Sequence, residues 1–294
     1  MELRAVRYFV AIAESGSVTG AAATVRVAQP SLSRQLRGLE RELGAELFER
    51  GAGRLRLSAA GSALLPLARD LLARADGLSS TAQTLAAGRL RTLRIAAPPT
   101  TVSDVVAPFV ATFDQGDPLP SVTAIPTADV YTGLRDGSVD LALSARAPEP
   151  DLGQRLVAHF PIWLYVAPDD RRARRRVRIG IADLDAERLL VLPTGFVQRE
   201  LFEAAAARAQ LPLDGAREVS SPDVAQALCA AGWGDAVVSD DSRFGLRGLR
   251  IATPDGDLTM PVYAAWTQRH VAAAHVVEVV ERLTAFCAAR YDQA

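Results

Sequence analysis

Residues 21–44 read AAATVRVAQPSLSRQLRGLERELG, and this stretch decides how the N-terminal third of the chain is interpreted. Small residues open it, which suits a short helix that another helix crosses closely. Pro30 fits the first turn of a new helix, where its missing N–H has no intrahelical partner to lose. The leucines that follow recur at helical spacing and predict a buried face: Leu32, Leu36, Leu39 and Leu43. Two helices joined by a tight turn at 26–28 predict a helix-turn-helix.

A further helix precedes this stretch. It starts near Leu3 and is expected to end at Gly16, because glycine accepts the left-handed conformation of a helix end. Ser17 is then placed to cap the second helix. The outward face of the third helix offers hydroxyl and guanidinium groups suited to phosphates and guanine edges, from Pro30, Ser31, Ser33, Arg34, Arg37 and Arg41. The same face also fits the solvated side of an ordinary three-helix bundle.

A glycine-tipped hairpin is predicted at 50–57, which reads RGAGRLRL. Beside a helix-turn-helix this hairpin is interpreted as a wing. Arg50, Arg54 and Arg56 are placed to straddle a phosphate backbone or a minor groove. Exposed hairpin arginines also occur for solubility alone.

One long helix is predicted over 59–87. Leucines repeat every seven residues along it, with alanines in step, at Leu64, Leu71, Leu78 and Leu85 and at Ala68, Ala75 and Ala82. A repeat of this length favours a dimerisation helix over a helix folded onto its own core.

Strands alternate with helices from residue 93 onward, which indicates an α/β fold. The predicted strands are 93–97, 121–125, 140–144, 162–167, 188–192, 217–219, 236–239 and 262–266, and a last helix covers about 272–289.

Charge is distributed unevenly along the 294 residues, although the net charge is only −1. Residues 1–91 contain 13 arginines and 8 acidic residues, whereas the rest contains 20 arginines and 26 acidic residues, so nucleic acid is expected to meet the N-terminal part. The sequence has no secretory leader and no apolar run long enough for a membrane span, which predicts a cytoplasmic protein. Two isolated cysteines, Cys229 and Cys287, predict buried thiols rather than a disulfide or a zinc cluster.

Five motifs lie in order along the N-terminal residues: YFVA at 8–11, ESGS at 14–17, VAQPSLSRQL at 27–36, LFER at 47–50 and LSAAG at 57–61. Together they resemble the LysR-type transcriptional regulators, closely to about residue 90 and more loosely to about residue 290. The resemblance implies an N-terminal all-α winged helix-turn-helix with a linker helix. An α/β two-subdomain effector-binding domain of the type 2 periplasmic-binding-protein kind is expected to follow.

The resemblance also implies boundaries and contacts. The winged helix-turn-helix is expected at 1–58, the linker at 59–88 and the effector-binding domain at 92–290. Within the last, subdomain I covers about 92–161 and 267–290, subdomain II covers about 168–261, and the strands 162–167 and 262–266 form the hinge. The partners implied are double-stranded operator DNA, a small-molecule effector and further copies of the chain in a homodimer or homotetramer. The residues expected at DNA are Gln29, Pro30, Ser31, Ser33, Arg34, Arg37, Arg50, Arg54 and Arg56.

Hydroxyl side chains follow the first strand of the α/β part at the start of a helix, where free N–H groups favour a carboxylate. The same hydroxyls also fit a plain helix cap. Similarity to LysR-type sensors favours effector contact and implies an effector site at Thr100, Thr101, Ser103, Thr127, Arg146, Thr194 and Phe196. Arg146 is the candidate partner of an effector carboxylate, although a single loop arginine is more often solvated.

The sequence therefore predicts a sequence-specific transcription regulator controlled by an effector between two subdomains. No phosphate loop, nucleophile elbow or metal motif appears, so no enzyme activity, catalytic residue, metal or cofactor is expected. The alternative is a solute-binding or small-molecule enzyme domain with an N-terminal oligomerisation module, which predicts no sequence-dependent DNA binding. The arginine-rich run 171–176 is interpreted as a solvated charge run rather than as a second nucleic-acid site.

Overall fold

The computed structural model describes residues 1–49, 55–87, 90–174 and 176–291. They form two compact units: the first contains Met1–Ala86 and the short segment Asp136–Ser138, and the second contains the rest, from Ala87 onward. The first unit is helical with a two-stranded ribbon, and the second contains two β-sheets. The predicted fold class is therefore confirmed.

Among its described residues, the first unit contains four helices and two short paired strands at the foot of the predicted hairpin. Its elements are α1 Leu3–Ser15, α2 Val18–Thr24, α3 Gln29–Leu43, β1 Phe48–Glu49, β2 Arg56–Leu57 and α4 Ala59–Ala87. Gly16 and Gly44 end their helices in the left-handed conformation, with φ of 65° and 69°, as the sequence predicts. The Ser17 hydroxyl accepts a hydrogen bond from the Gly20 N–H at 2.9 Å and caps α2.

The apolar face of α3 is buried as predicted, except at its end. Leu32, Leu36 and Leu39 pack in the core of the first unit, whereas Leu43 is 40% exposed. Gly44 turns the chain away directly after Leu43, so the last turn of α3 extends beyond the core and Leu43 remains in solvent.

The first half of α4 also packs on the core of its own unit. Leu64, Ala68 and Leu71 of the predicted heptad pack there, together with Leu65 and Leu72. Farther along, Leu78 is 73% exposed. The heptad therefore serves the fold of its own unit at its beginning and leaves apolar surface uncovered later.

The start of α4 is fixed to the loop before β1. The Ser58 hydroxyl donates to the Glu46 carbonyl at 2.6 Å and accepts from the Gly61 N–H at 2.9 Å. A Cβ at Gly61 would lie 2.0 Å from the Leu47 carbonyl oxygen. Glycine is therefore required here by the close approach of two backbone segments.

We expect Gly61→Ala to lower the free energy of unfolding by about 1–3 kcal/mol, because the added methyl group has to displace backbone. Thermal unfolding followed by circular dichroism at 222 nm measures the change. The matched control is Gly38→Ala in the interior of α3, where nothing lies within 4 Å of the new Cβ. There alanine should stabilise the helix by up to about 1 kcal/mol. Equal effects of the two substitutions would contradict the contact at Leu47.

The second unit contains twelve strands and six helices among the described residues. The strands are β3 Thr92–Ala97, β4 Leu119–Ala124, β5 Leu141–Ser144, β6 Gly153–Pro161, β7 Trp163–Val166, β8 Arg178–Gly180, β9 Leu189–Val191, β10 Arg217–Glu218, β11 Asp235–Val238, β12 Arg247–Thr253, β13 Gly256–Asp257 and β14 Thr259–Trp266. The helices are α5 Pro99–Thr101, α6 Ala107–Val110, α7 Thr132–Asp136, α8 Val197–Arg208, α9 Pro222–Ala230 and α10 Ala273–Tyr291, with α5 and α6 joined by the π-helical segment Val102–Val106.

Each sheet belongs to one subdomain. The first has the order β4-β3-β5-β14-β6, and the second has the order β10-β9-β11-β7-β12-β13, with β8 paired to β12. In each sheet three parallel strands are followed by an antiparallel one, β14 in the first and β7 in the second. Two α/β subdomains of this kind are what the sequence predicts.

The chain crosses between the sheets at two adjacent points. It leaves the first sheet at Pro161 and returns to it at Thr259, and the Ile162 N–H donates to the Leu258 carbonyl at 2.9 Å between the crossings. The return crossing therefore lies before the predicted hinge strand 262–266. The whole of β14 pairs with β6 in the first sheet, and β6 is not among the strands predicted from the sequence.

The arginine-rich run is only partly a solvated charge run. Arg172 makes two hydrogen bonds, of 2.7 and 2.8 Å, to the buried carboxylate of Asp235 and also bonds Asp170. Arg188 approaches the same carboxylate at 3.2 Å. A buried acid at the start of β11 requires cationic partners, so Arg172 has a structural role.

A second buried carboxylate joins β3 to the segment before α10. Asp140 accepts from the Arg94 backbone N–H at 2.8 Å and from its Nε at 3.0 Å, and His270 Nε2 lies 2.9 Å from the other oxygen. The Ala272 N–H donates to His270 Nδ1 at 3.1 Å, so Nε2 carries the proton given to Asp140. Burial opposes ionisation, but the hydrogen bonds from His270 and Arg94 outweigh it and lower the pKa of Asp140.

Candidate functional site

The first candidate site is the outward face of α3. Gln29, Pro30, Ser31, Arg34 and Arg37 are exposed, and Ser33 is half-buried. Because Leu32 and Leu36 fix the opposite face in the core, the predicted polar stripe is held outward.

The arginines of this face lie along the helix. Arg37 Nε donates to the Ser33 carbonyl and Arg41 Nε to the Arg37 carbonyl, both at 3.3 Å. Among the residues that the structure describes, no acidic side chain lies within ion-pair distance of Arg34, Arg37 or Arg41. These guanidinium groups therefore stay available to a ligand, although Glu40 and Glu46 line the same surface depression as the three arginines.

The structure describes one of the three arginines predicted for the hairpin. Arg56 is exposed on β2, which pairs with β1. Arg50 and Arg54 lie outside the described residues, so their predicted contacts stay predictions.

The second candidate site is a narrow cavity between the two subdomains, with a volume of about 30 Å³. Thr100, Thr101 and Asp104 line it from the helix after β3. Ser239 and Asp240 line it from the loop after β11. The carboxyl ends of strands from both sheets therefore meet here, as in other α/β ligand sites.

The hydroxyls at the start of the helix do not cap it. The N-cap residue is Pro98, and no side-chain hydrogen bond caps the helix. Ser103 is exposed, and its hydroxyl donates to the Thr100 carbonyl at 3.1 Å. Thr100 and Thr101 thus fit the ligand interpretation better than the cap, whereas Ser103 does not line this cavity.

The other predicted effector residues lie elsewhere. Thr127 is half-buried beyond β4, and Thr194 and Phe196 are exposed in the turn before α8. Arg146 is not a free loop arginine, because its guanidinium binds Glu200 of α8 at 2.7 Å. None of these four residues lines the cavity with Thr100 and Thr101.

Two buried polar groups were not predicted from the sequence: Asp240, which lines the cavity, and Gln198, which contacts the cavity residue Ser239. Asp240 is 4% exposed, and neither of its carboxylate oxygens has a hydrogen-bond partner among the described residues. Burial, assisted by the nearby charge of Asp104, raises the pKa of Asp240 to about 7. Gln198 is also buried, with its amide nitrogen unpartnered and its oxygen accepting from the Ser239 hydroxyl at 3.2 Å. The run SDD at 239–241, directly after a buried strand, was the available signal.

A winged helix-turn-helix unit joined to a two-sheet domain with a cleft defines a class of helix-turn-helix proteins that carry a ligand-binding domain. Residues 3–62 match the family model for the bacterial regulatory helix-turn-helix protein, lysR family, and residues 86–288 match the model for the LysR substrate binding domain. The chain belongs to the LysR family.

Similar proteins carry regulator names. The chain is 32% identical over 244 residues to the HTH-type transcriptional regulator CbbR of Xanthobacter flavus, which covers 81% of this chain and 72% of CbbR. It is 43% identical over 113 residues to the HTH-type transcriptional regulator TfdT of Cupriavidus pinatubonensis, covering 38% of this chain and 50% of TfdT. The chain thus spans about half the length of this relative.

Solved structures share the fold over nearly the whole chain. The LysR family regulator CbnR matches with a TM-score of 0.76 and 25% identity, covering 97% of this chain and 99% of that one. The structure of full-length CbnR with its target DNA matches with a TM-score of 0.75 and 25% identity, covering 96% and 100%. Among the described residues, no helix is long and apolar enough to cross a membrane.

Proposed function

We propose that this protein is a sequence-specific transcription regulator that binds operator DNA through α3 and responds to a small-molecule effector in the second unit. The observation that carries the proposal is the exposed arginine stripe of α3, which has no acidic partner among the described residues. The CbnR complex with target DNA supports it, because the two chains share their fold. We assign the protein to the cytoplasm and assign it no catalytic residue.

Arg34 and Arg37 are the residues closest to base edges or phosphates in this proposal. Gln29, Pro30, Ser31 and Ser33 surround them, and the wing arginines Arg50, Arg54 and Arg56 contact the flanking backbone. A dimer then reads an imperfect palindrome whose half-sites lie about one helical turn, roughly 10 bp, apart.

The test is binding of the full chain to DNA fragments from upstream of its own gene, measured by fluorescence anisotropy at two salt concentrations. We expect one fragment to bind far more tightly than a scrambled fragment of equal length, with an affinity that falls steeply as salt rises. Equal, weak binding to every fragment would refute a specific regulator and favour the solute-binding or enzyme alternative.

We propose that the effector binds in a cleft between the subdomains. The cavity lined by Thr100 and Thr101 is the inner end of this cleft. Thr127, Arg146, Thr194 and Phe196 belong to its outer rim in this proposal, and Ser103 lies beside it. An effector carboxylate at the rim has to compete with Glu200 for Arg146, because the two side chains are paired. Closing of the subdomains about the two crossings couples binding to the dimer.

We also propose that α4 forms the dimer contact. Leu67 and Leu78 are 61% and 73% exposed on one side of this helix, and they offer an apolar face that a second copy of the chain can cover. A homodimer or homotetramer provides that surface.

Leu78→Glu should weaken self-association at least tenfold, because it places a charge in the contact, and should leave the fold of the unit intact. Sedimentation velocity over a concentration series measures the association constant. Ser79→Glu, one residue away at an exposed polar position, is the control and should associate like the wild type. Unchanged association in Leu78→Glu would exclude this face of α4 from the contact.

A further inference from the structure

The wall of the cavity between the subdomains is rich in acidic groups, which do not attract a carboxylate effector. Asp104, Asp240 and Asp241 all contribute to its wall. Two of them are already neutralised. Asp104 accepts from the Asp241 N–H at 3.1 Å and from Arg243 Nη2 at 3.2 Å, and Asp241 binds Arg290 at 2.7 Å.

The carboxylate of Asp240 has no hydrogen-bonded partner among the described residues, and Arg243 acts on it only as a nearby charge. Asp240 is 4% exposed. Its backbone is held in place, because the buried Tyr165 hydroxyl donates to the Asp240 carbonyl at 2.8 Å. A buried carboxylate without donors is strongly unfavourable, so its retention in a cavity wall indicates a bound group that supplies them.

The surroundings of Asp240 favour a cationic nitrogen. The cavity offers the hydroxyls of Thr100 and Thr101 as further acceptors, and the aromatic rings of Phe160 and Tyr291 also line it. An ammonium group has three donors and no acceptor, which suits one carboxylate with neighbouring hydroxyls, and aromatic faces attract it further. Among the described residues, no group of His, Cys, Asp and Glu side chains is arranged to hold a metal ion.

We propose that this cavity binds the protonated primary amine of a small-molecule effector, with Asp240 as its counter-ion and Thr100 and Thr101 as further acceptors. The inference rests on the proposed function in treating the cavity as the effector site. It adds the chemical class of the effector group that occupies the cavity, a protonated primary amine.

The probe is ethylamine, with ethanol and acetate as neutral and anionic molecules of similar size. Binding to the full chain without DNA is measured by calorimetry at pH 8, for the wild type, Asp240→Asn and Asp223→Asn. Asp223→Asn is the matched control, because it removes the same charge near Asp240 at an exposed carboxylate that is paired with Arg243 and does not line the cavity.

We expect ethylamine to bind the wild type and Asp223→Asn, and to bind Asp240→Asn at least tenfold more weakly. Ethanol and acetate should not compete. Without ligand, Asp240→Asn should melt at or above the temperature of the wild type, because the unpartnered charge is gone. Equal ethylamine binding in Asp240→Asn, or no ethylamine binding to the wild type, overturns the proposal.

The wild type supplies a second test that does not depend on a folded variant. The charged and titratable groups around Asp240 are Asp104, Asp223, Asp241, Arg243, Arg290, Tyr165 and Tyr291. Burial raises the pKa of both tyrosines, whereas the pKa of Asp240 lies at about 7. Ethylamine stays protonated near neutral pH, as a lysine side chain does. Its affinity should therefore fall about tenfold from pH 8 to pH 6 as Asp240 takes up a proton, and a flat profile overturns the proposal.

DNA binding is measured separately, so the two proposals fail independently. Amine binding without sequence-specific DNA binding refutes the regulator and leaves the amine site. Specific DNA binding without amine binding leaves the regulator and refutes the amine site.

Discussion

Arg34→Ala/Arg37→Ala should lower the affinity for the upstream DNA fragment by at least a hundredfold at moderate salt. Each arginine that contacts a base or a phosphate contributes about 1–3 kcal/mol, and in a dimer both copies of each residue are removed. The slope of log affinity against log salt should become shallower by about one for each phosphate that is no longer neutralised. Fluorescence anisotropy at four salt concentrations measures both quantities.

The control for this pair is Arg171→Ala/Arg208→Ala. It removes the same charge from exposed positions in the second unit. We expect its affinity to stay within a few-fold of that of the wild type. If the two double variants are weakened equally, binding reflects the total charge of the chain, and α3 is not the DNA-reading helix.

Asp140→Ala should lower the free energy of unfolding of the second unit by about 3–5 kcal/mol. The substitution removes a fully buried carboxylate that accepts hydrogen bonds from Arg94 and His270, and removing one partner of a buried pair has this magnitude. Urea unfolding followed by tryptophan fluorescence isolates the effect, because Trp163, Trp233 and Trp266 all lie in the second unit.

The difference in the free energy of unfolding between the wild type and Asp140→Ala should become smaller at acid pH. The pKa of Asp140 is lower in the folded than in the unfolded chain, so its contribution is complete above the unfolded value of about 3.9 and is lost as the pH falls through the folded value. Arg155→Ala is the control, since its pair with Glu281 is exposed and contributes about 0–1 kcal/mol. A similar decrease in both variants would mean that burial of Asp140 has no special energetic consequence.

The first unit was predictable because its signals act over a few residues. Gly16, Ser17 and Gly44 set helix ends through their own conformation or through one hydrogen bond, and the leucines of α3 follow a short period. Leu43 shows the limit, because periodicity predicts a face but not where the neighbouring element stops covering it.

The second unit was harder because its decisive contacts join distant residues. The strand β6 was missed since it carries the apolar Leu156 exposed beside the buried Val157, and its pairing with β14 lies about a hundred residues away in sequence. The ion pair of Arg146 with Glu200 and the isolation of Asp240 likewise depend on tertiary neighbours. The family resemblance led to the prediction of Thr100 and Thr101 as effector residues, and both line the cavity. It did not indicate the carboxylate of Asp240 on the opposite wall.

The two crossings of the chain have a consequence for synthesis on the ribosome. Strand β14 lies between β5 and β6 in the first sheet, yet it is made after every strand of the second sheet. At roughly 5–20 residues per second, the strands β5 and β6 wait several seconds for their central partner, with unpaired edges exposed. The inserted subdomain can complete its own sheet during this interval. We therefore expect the nascent chain to fold from the middle of the second unit outward, and its vulnerability to aggregation and to chaperone capture to end only when β14 emerges.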